Sequence, residues 1–524
     1  MKKLLALLLA LITALGVTAC TTTGDPSGDD NEDALYTLNV GFYQGGLASL
    51  YMDEIIKLYE KENPDVNVKL KPGKSEYTDG SLLSAISSNG LDLYVLDSNS
   101  YSTFYEGGHL EDITEEVTAK IFDNDVNYVG EGGTKSVEDT MWEDFRNFYK
   151  TPTGKYYAIP NYASIPGIIY DADLFEDNDY EVPETYPELI ELMDAMVLDG
   201  VTPFAFSTLD YITLSSMESF VAMYEGKANY ELRSTFSGTH SELGEINLQN
   251  AYLLQQAEGK KAGVQFAHDL ARNQDYVTQN TRNGMDNLIA QKQYVSSITI
   301  KPSATNPRPR IAMFLEHSYW EREAAGTFDE LSFNPNYAYG KRNFKYMKAP
   351  KMIGVDGITD TKNTKDTVLV GGGGWSAVSA YSKQKELAKD FLMFMQRREC
   401  MAKWLMHASC LRPYDFKLTE AELAQCTPYG LSLYELLTDE NVELVTYNSK
   451  NAYASKQTGE FAYDWRFYSK FNTTEGNGTA GVTAEGRQVF NLFMQWKNLT
   501  VEEYYDGFAN YWSKENWEAR LSKI

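Results

Sequence analysis

Between Tyr36 and Leu96 the hydrophobic period of the sequence switches from two to 3.6 and back, twice over, and few folds accommodate that rhythm. Residues 36–42 alternate and are β-prone, which predicts a strand. Leu50, Ile55, Ile56, Leu58 and Tyr59 then fall at helical spacing, and that helix stops before Pro64. Residues 66–70 alternate again, 81–86 suggest a second helix, and 91–96 form a short apolar run of the kind buried in a parallel sheet. Strand, helix, strand, helix, strand is the βαβ pattern of an open α/β sheet. Ligands of such sheets sit beyond the carboxyl ends of the strands. That directs attention to Tyr43 and Gln44 after the first strand, and to Asp97, Ser98 and Asn99 after the third.

A second block begins near Lys155, with strands predicted at 156–160, 167–170 and 203–206 and helical spacing over 187–198. A third holds an apolar strand at 311–315, the glycine run Gly371, Gly372, Gly373 and Gly374, and a helix over 386–394. The stretch 303–343, rich in Pro, Asn and aromatics, reads as a long surface excursion. No internal repeat is visible. A chain of 524 residues has length for roughly two to four lobes, each burying its own core.

Charge and composition exclude several functions. A formal net charge of -27 argues against nucleic-acid binding, which needs a basic face, and against adhesion to anionic lipid by surface charge. There are 37 Tyr, 24 Phe and 8 Trp but only 5 His, which disfavours a histidine-built metal hydrolase; neither metal nor cofactor is expected. Asp171, Asp173 and Asp179 hint at a calcium loop, but the glycine at loop position six and the glutamate at twelve are missing, so a solvated acidic turn is expected. A glycosidase needs two carboxylates roughly 5–10 Å apart, a pair that any chain with 74 Asp and Glu can nominate. No Gly-x-Ser-x-Gly elbow or His-Glu-x-x-His motif occurs.

The N-terminus bears on the compartment. Lys2 and Lys3 precede the apolar run 4–15, followed by Gly16-Val17-Thr18-Ala19-Cys20. Such a run rises about 18 Å as a helix, too short for a hydrocarbon core of about 30 Å, so it reads as an export signal. Val17-Thr18-Ala19-Cys20 resembles a bacterial lipobox. The expectation is a signal peptide over 1–19, an acylated (palmitate-type) Cys20, and a polar acidic tether over 20–35 with a reach of about 20 Å. Cys400, Cys410 and Cys426 remain and are expected to be core thiols.

Five pieces in order resemble the extracellular solute-binding proteins of carbohydrate ABC importers, the family that includes maltose-binding protein. They are Tyr59-Glu60-Lys61-Glu62-Asn63-Pro64-Asp65-Val66; Leu91-Asp92-Leu93-Tyr94-Val95-Leu96-Asp97 ahead of Glu106-Gly107-Gly108-His109-Leu110; and Gly154-Lys155-Tyr156-Tyr157-Ala158-Ile159-Pro160 ahead of Ile169-Tyr170-Asp171-Ala172-Asp173-Leu174-Phe175. The others are Ala312-Met313-Phe314-Leu315-Glu316-His317-Ser318-Tyr319, and Gly371-Gly372-Gly373-Gly374-Trp375 ahead of Lys385-Glu386-Leu387-Ala388-Lys389-Asp390-Phe391-Leu392.

The resemblance implies a two-lobe periplasmic-binding-protein fold of type II kind: open α/β sheets flanked by helices, with an inter-lobe cleft. Lobe one would take 36–160 with 371–408 and lobe two 166–368 with 412–524, with crossings near 161–165, 369–370 and 409–412 and the glycine run at a hinge exit. It implies ligand contacts from Tyr43, Gln44, Asp97, Ser98, Asn99 and Tyr101, from Asn161, Tyr162 and Ser164 at the first crossing, and from Asp210 and Tyr211. Tyr319, Trp320 and Trp375 complete the set. A sugar site needs this mixture, because flat rings cover the apolar sugar face while amides, carboxylates and hydroxyls fix its edge. Trp404, Trp465, Trp496, Trp512 and Trp517 are read as packing. The implied function is capture of an extracellular oligosaccharide by a monomer held to the outer face of the cytoplasmic membrane through Cys20, with delivery to the membrane subunits of an ABC importer and no catalysis. A peptide or other non-sugar binding protein and a lipid-anchored glycan-degrading enzyme are the alternatives.

Overall fold

The elements expected between residues 36 and 96 form as β1 (Tyr36–Tyr43), the helix Leu50–Glu62, β2 (Val66–Gly73), the helix Asp79–Ser88 and β3 (Leu93–Leu96). The strand β1 lies between β2 and β3 and runs parallel to both, with Tyr36 opposite Val66 and Val40 opposite Leu93. The computed structural model describes residues 34–522 except 44–48, 74–76, 78, 89, 97–100, 209–211, 298–299, 447–460, 462–463, 466, 469–480 and 483–485.

The strands that follow include β4 (Ile159–Ser164), β5 (Pro166–Asp171), β6 (Val201–Ala205), the hairpin β7 (Gly238–His240) and β8 (Gly244–Ile246), β9 (Arg310–His317), β10 (Phe344–Met347), β11 (Asp366–Val378) and β12 (Val442–Thr446). The larger sheet has the order β12-β11-β3-β1-β2, with β4 also paired to β11; the smaller has the order β10-β5-β9-β6. Ile165 alone separates β4 of the larger sheet from β5 of the smaller. Two hydrophobic cores form: the first fills the larger sheet and extends onto the smaller one through Ile169, Phe314 and Phe344, and the second takes the alternate β5 residues Ile168 and Tyr170 and reaches Leu369 and Val445 of the larger sheet.

Late segments return to the first core through aromatic packing. Tyr59 of the helix Leu50–Glu62 wedges between Phe391 and Phe394 of the helix Lys385–Phe394, at centroid distances of 4.8 and 5.0 Å, and its hydroxyl donates to Asp390 at 2.6 Å. Trp404, on the helix Arg398–Ala408, packs on Tyr51 at 4.2 Å. The second core stacks Phe220 on Phe266 at 4.3 Å between the helices Ile212–Tyr230 and Glu258–Arg272, and Trp465, Trp512 and Trp517 close it from the C-terminal segment, with Trp496 partly buried against it. These tryptophans and Trp404 pack as their spacing suggests. Cys400, Cys410 and Cys426 are free thiols, the first two buried.

The structure revises or refines the expectations at four places. Residues 303–343 are no surface excursion: β9 takes 310–317 and is buried over all but its first residue, and helices Trp320–Glu323 and Ala325–Leu331 follow. The strand expected at 311–315 is the centre of this stretch, and the polar residues that bias its composition flank it. The glycine run, expected at a hinge exit, lies inside the strand β11. A Cβ on Gly373 would stand 2.1 Å from the Tyr162 ring, and Gly374 adopts φ 68°, so both positions need glycine. The strand β12, from the stretch assigned to lobe two, pairs in parallel with β11 in the larger sheet.

The acidic turn at 171–179 is a capped helix. Asp171 is 1% exposed; it caps the helix Ala172–Asp177 by accepting from the Leu174 amide at 3.2 Å, and it pairs with the Arg342 guanidinium at 2.6 Å. The helix ends in a Schellman motif. The Tyr180 amide donates to the Phe175 carbonyl at 2.9 Å, the Asp179 amide to that of Glu176 at 3.4 Å, and the Tyr180 ring meets Phe175 edge-on at 5.8 Å. The motif puts exposed Asp179 at φ 56°, a conformation that strains any residue with a Cβ. Asp179→Gly is expected to raise the unfolding free energy by about 0.5–1 kcal/mol, read as a higher urea midpoint. A midpoint that stays put or falls would mean the backbone there is unstrained.

Candidate functional site

Because β1, β2 and β3 are parallel, their carboxyl ends lie at one rim of the larger sheet, which is where an open α/β sheet receives ligand. Tyr43 closes β1 there and is half-buried. Gln44, Asp97, Ser98, Asn99, Asp210, Tyr211 and Cys20 lie outside the described residues.

The remaining candidates gather where β4 leaves the larger sheet. The Asn161 side chain donates to the Leu96 carbonyl at 2.8 Å and accepts from the Ser376 hydroxyl, so it ties the end of β3 to β11. The Tyr162 ring lies over Gly373, stacks on Trp404 at 6.3 Å and 24°, and meets Tyr319 edge-on at 6.1 Å. Half-buried Tyr319 stacks on His317 at 5.6 Å and 23°. The Ser164 hydroxyl is 2.6 Å from His317 Nδ1, and the Ser215 hydroxyl 2.9 Å from Nε2. The result is an aromatic file, Trp404–Tyr162–Tyr319–His317, edged by hydroxyls and an amide.

Three candidates belong to the core. Trp375 has no exposed surface and packs on Phe104 at 5.7 Å and Tyr101 at 6.3 Å; Tyr101 is itself buried, donating to the Tyr149 carbonyl at 3.1 Å. Trp320 is equally buried, among Phe314, Phe344, Tyr294 and Phe328. Between the neighbours Tyr319 and Trp320, the tyrosine is the one with surface to offer. Large rings suit a core as well as a cleft, and a residue type alone does not separate the two.

Sequence reasoning passed over His317, Ser318, Ser215 and Arg412. The Ser318 hydroxyl accepts from the Ile165 amide at 3.2 Å and donates to the Ala163 carbonyl at 3.1 Å. Arg412 is buried without a carboxylate; its guanidinium donates to the carbonyls of Asn161 and Met395, both at 2.8 Å, and faces the rings of Trp404 and Tyr414. Only five histidines occur in the chain, and one that directly precedes candidate residues was a usable signal.

The Ser164–His317 contact has the look of a nucleophile and base, but both residues are buried and the second ring nitrogen is spent on another hydroxyl. Among the described residues no group of three or more His, Cys, Asp or Glu could hold a metal, and no helix is long and apolar enough to cross a membrane. A cavity of about 340 Å³ lies elsewhere, lined by groups of both charges such as Lys227, Glu242, Glu258 and Lys362, and shares no residue with the aromatic file.

Burial pushes His317 down to about 3, so the native ring is neutral. An unfolded histidine binds its proton near pH 6.5, and stability is therefore complete above that pH and falls as the pH drops towards 3. Between pH 6 and 5 the loss from this residue approaches about 1.4 kcal/mol per pH unit. Urea unfolding of the parent and of His317→Gln at pH 7, 6 and 5 should give slopes that differ by about that amount, because His240 and His407, which burial also lowers, stay in both. Equal slopes would mean that water reaches the ring.

Known proteins share this architecture. The family described as bacterial extracellular solute-binding protein matches residues 46–399, more than half of the chain. The curated multiple sugar-binding protein of Streptococcus mutans is 24% identical over 166 residues, covering 31% of this chain and 34% of the relative; the chain thus matches about a third of that relative's length. The apo form of RafE from Streptococcus pneumoniae superposes with a TM-score of 0.54 at 16% identity, over 94% of this chain and all of that one. Maltose-bound MalE3 of T. maritima gives 0.54 at 13% identity, over 91% and 99%. At such identities the structural likeness is one of fold, the two-lobe α/β binding-protein fold, and with the family match it carries the conclusion that this chain belongs to the bacterial extracellular solute-binding proteins.

Proposed function

We propose that this protein captures an oligosaccharide outside the cell, between two lobes, and delivers it to the membrane subunits of an ABC importer without making or breaking a bond. The observation that carries the reading is the aromatic file at the junction of the two sheets, where half-buried Tyr319 offers ring surface beside hydroxyls and an amide, with half-buried Tyr43 at the end of β1 as a second ring. The curated relative is named a multiple sugar-binding protein, and one structural neighbour was solved with maltose. The proposed contacts are Tyr43, Tyr162 and Tyr319, with Gln44, Asp97, Ser98, Asn99, Asp210 and Tyr211 from the segments that follow the strands. The proposed division keeps 36–160 with 371–408 as lobe one and 166–368 with 412–524 as lobe two, with β12 lent to the first sheet. In support, the first and third proposed crossings run side by side, the Ala163 amide donating to the Leu411 carbonyl at 2.8 Å, and Ala163 stands opposite Gly372, just after the second. The protein acts as a monomer, exported and anchored through acylated Cys20 with 21–35 as its tether.

Two experiments test this. Residues 34–524 should be melted with maltotriose, raffinose, xylotriose and chitotriose, each in excess. A glycan at a hundred times its Kd stabilises by about 2.7 kcal/mol, so at least one should raise the melting temperature and be recovered intact. Shifts with peptides alone would overturn the sugar reading, and release of shorter glycans would point to an enzyme. In the full chain, Cys20→Ala should leave the protein uncleaved or shed, with no acyl label. A variant that is cleaved, still membrane-bound and matched by an unlabelled parent would defeat the anchor.

A further inference from the structure

We infer that His317 is the positioning residue that ties ligand contact to the joint between the sheets: it holds the Tyr319 ring on its face, the end of β4 through Ser164, and the helix Ile212–Tyr230 through Ser215. The inference rests on the sugar-binding reading and adds to it a residue that touches no ligand. His317 is the last residue of β9, opposite Pro166, the first of β5, so its backbone belongs to the smaller sheet. Ser164 is the last residue of β4 and faces Gly371 in the larger sheet. The imidazole therefore reaches back across Ile165 from one sheet to the other.

The ring suits this task. A neutral imidazole has one donor and one acceptor nitrogen on opposite edges, so it can join two hydroxyls while leaving both faces free to stack. Tyr319 takes one face at 5.6 Å and 23°. A rotation of one sheet against the other about Ile165 alters the Ser164–His317 contact, and a hydrogen bond of 2.6 Å tolerates only small displacements. A sugar that fixes the Tyr319 ring restrains His317, and through it the end of β4. The ligand then favours the lobe arrangement in which this bond is intact, and that differential contact is what a population shift requires.

The test compares His317→Leu, which keeps volume and loses both hydrogen bonds, with His317→Gln, whose amide still offers one donor and one acceptor. Maltotriose, raffinose, xylotriose and chitotriose are titrated into each by calorimetry, and scattering gives the change in radius of gyration on binding. For whichever glycan the parent binds, Kd should weaken about tenfold in His317→Leu, stay within about threefold in His317→Gln, and the compaction should shrink in the leucine variant only. Equal affinities in parent and both variants, or equal losses in both variants, would overturn the inference by reducing His317 to packing. If His317→Leu does not fold, Ser164→Ala removes one arm of the relay and should weaken binding about fivefold; unchanged binding there overturns it as well. Binding by the parent to none of the four glycans would sink the sugar reading itself, and the inference with it.

Discussion

A strand that passes from one sheet to another must leave its first ladder before it joins the second, and its buried peptide groups then need partners that neither sheet supplies. Much of this structure answers that demand at residues 161–166. The Ser318 hydroxyl takes the Ile165 amide and the Ala163 carbonyl, the Ser318 amide takes the Ile165 carbonyl at 2.9 Å, and Tyr346 donates to the Pro166 carbonyl at 2.7 Å. Arg412 closes the other side on the Asn161 carbonyl. A guanidinium buried without a carboxylate is costly unless carbonyls and ring faces replace water, and Arg412 has both kinds. The late segment around 409–412 is thus held to the first crossing by the chemistry that the first crossing requires.

The same demand decides which parts of the fold a reader could see in the sequence. Helices 50–62, 186–198 and 385–394 and strands β1, β2, β3, β5, β6 and β9 stand where periodicity places them, because each meets the core along one face with a regular repeat. β4 runs from 159 to 164 instead of 156 to 160: its length follows the β11 ladder, a partner some two hundred residues away. β11 itself was hidden by its four glycines, which as a local signal argue against a strand. The ring of Tyr162 is what requires a glycine at 373, and that contact is tertiary. The helix Ile212–Tyr230 was hidden by Gly226, which breaks the helical geometry at φ 74°.

The candidate site was legible to a different degree. The spacing of strand ends led to the rim where half-buried Tyr43 closes β1, and the first crossing led to Asn161, Tyr162 and Ser164, which meet Leu96, Tyr319 and His317 in turn. Burial was not legible. Trp375 and Tyr319 look alike as isolated aromatics, yet one faces Phe104 in the core and the other keeps surface beside Tyr162. A tryptophan's large apolar area favours burial wherever the backbone leaves room, so position relative to the second sheet, and not residue type, determines who can meet a ligand. His317 escaped for the converse reason: the two hydroxyls that hold its ring, Ser164 and Ser215, come from distant parts of the chain.

The second core sets limits on which part of the molecule can move. Lys260 and Glu218 form an ion pair with no solvent exposure, Tyr230 donates to the same carboxylate at 3.0 Å, and the ammonium sits 4.1 Å over the Trp465 ring. Arg233 pairs with Glu225 nearby and donates to the Leu254 carbonyl at 2.8 Å. Removing one partner of such a pair leaves an uncompensated charge, at a cost of about 3–5 kcal/mol, so helices 212–230 and 258–272 are locked in one relative arrangement. Bending inside this core would have to break those contacts, whereas the joint at Ile165 is held by apolar packing and by neutral hydrogen bonds such as Ser164–His317 and Ser318–Ala163. Moving a population from 1:99 to 99:1 takes about 5.5 kcal/mol of differential binding. That sum is of the order a few stacked rings and buried hydrogen bonds supply, and it is too small to remodel the charged core as well. Under the proposed function, ligand energy is therefore directed to the joint because the joint is the compliant element, and the rigidity of the second core is what makes it so.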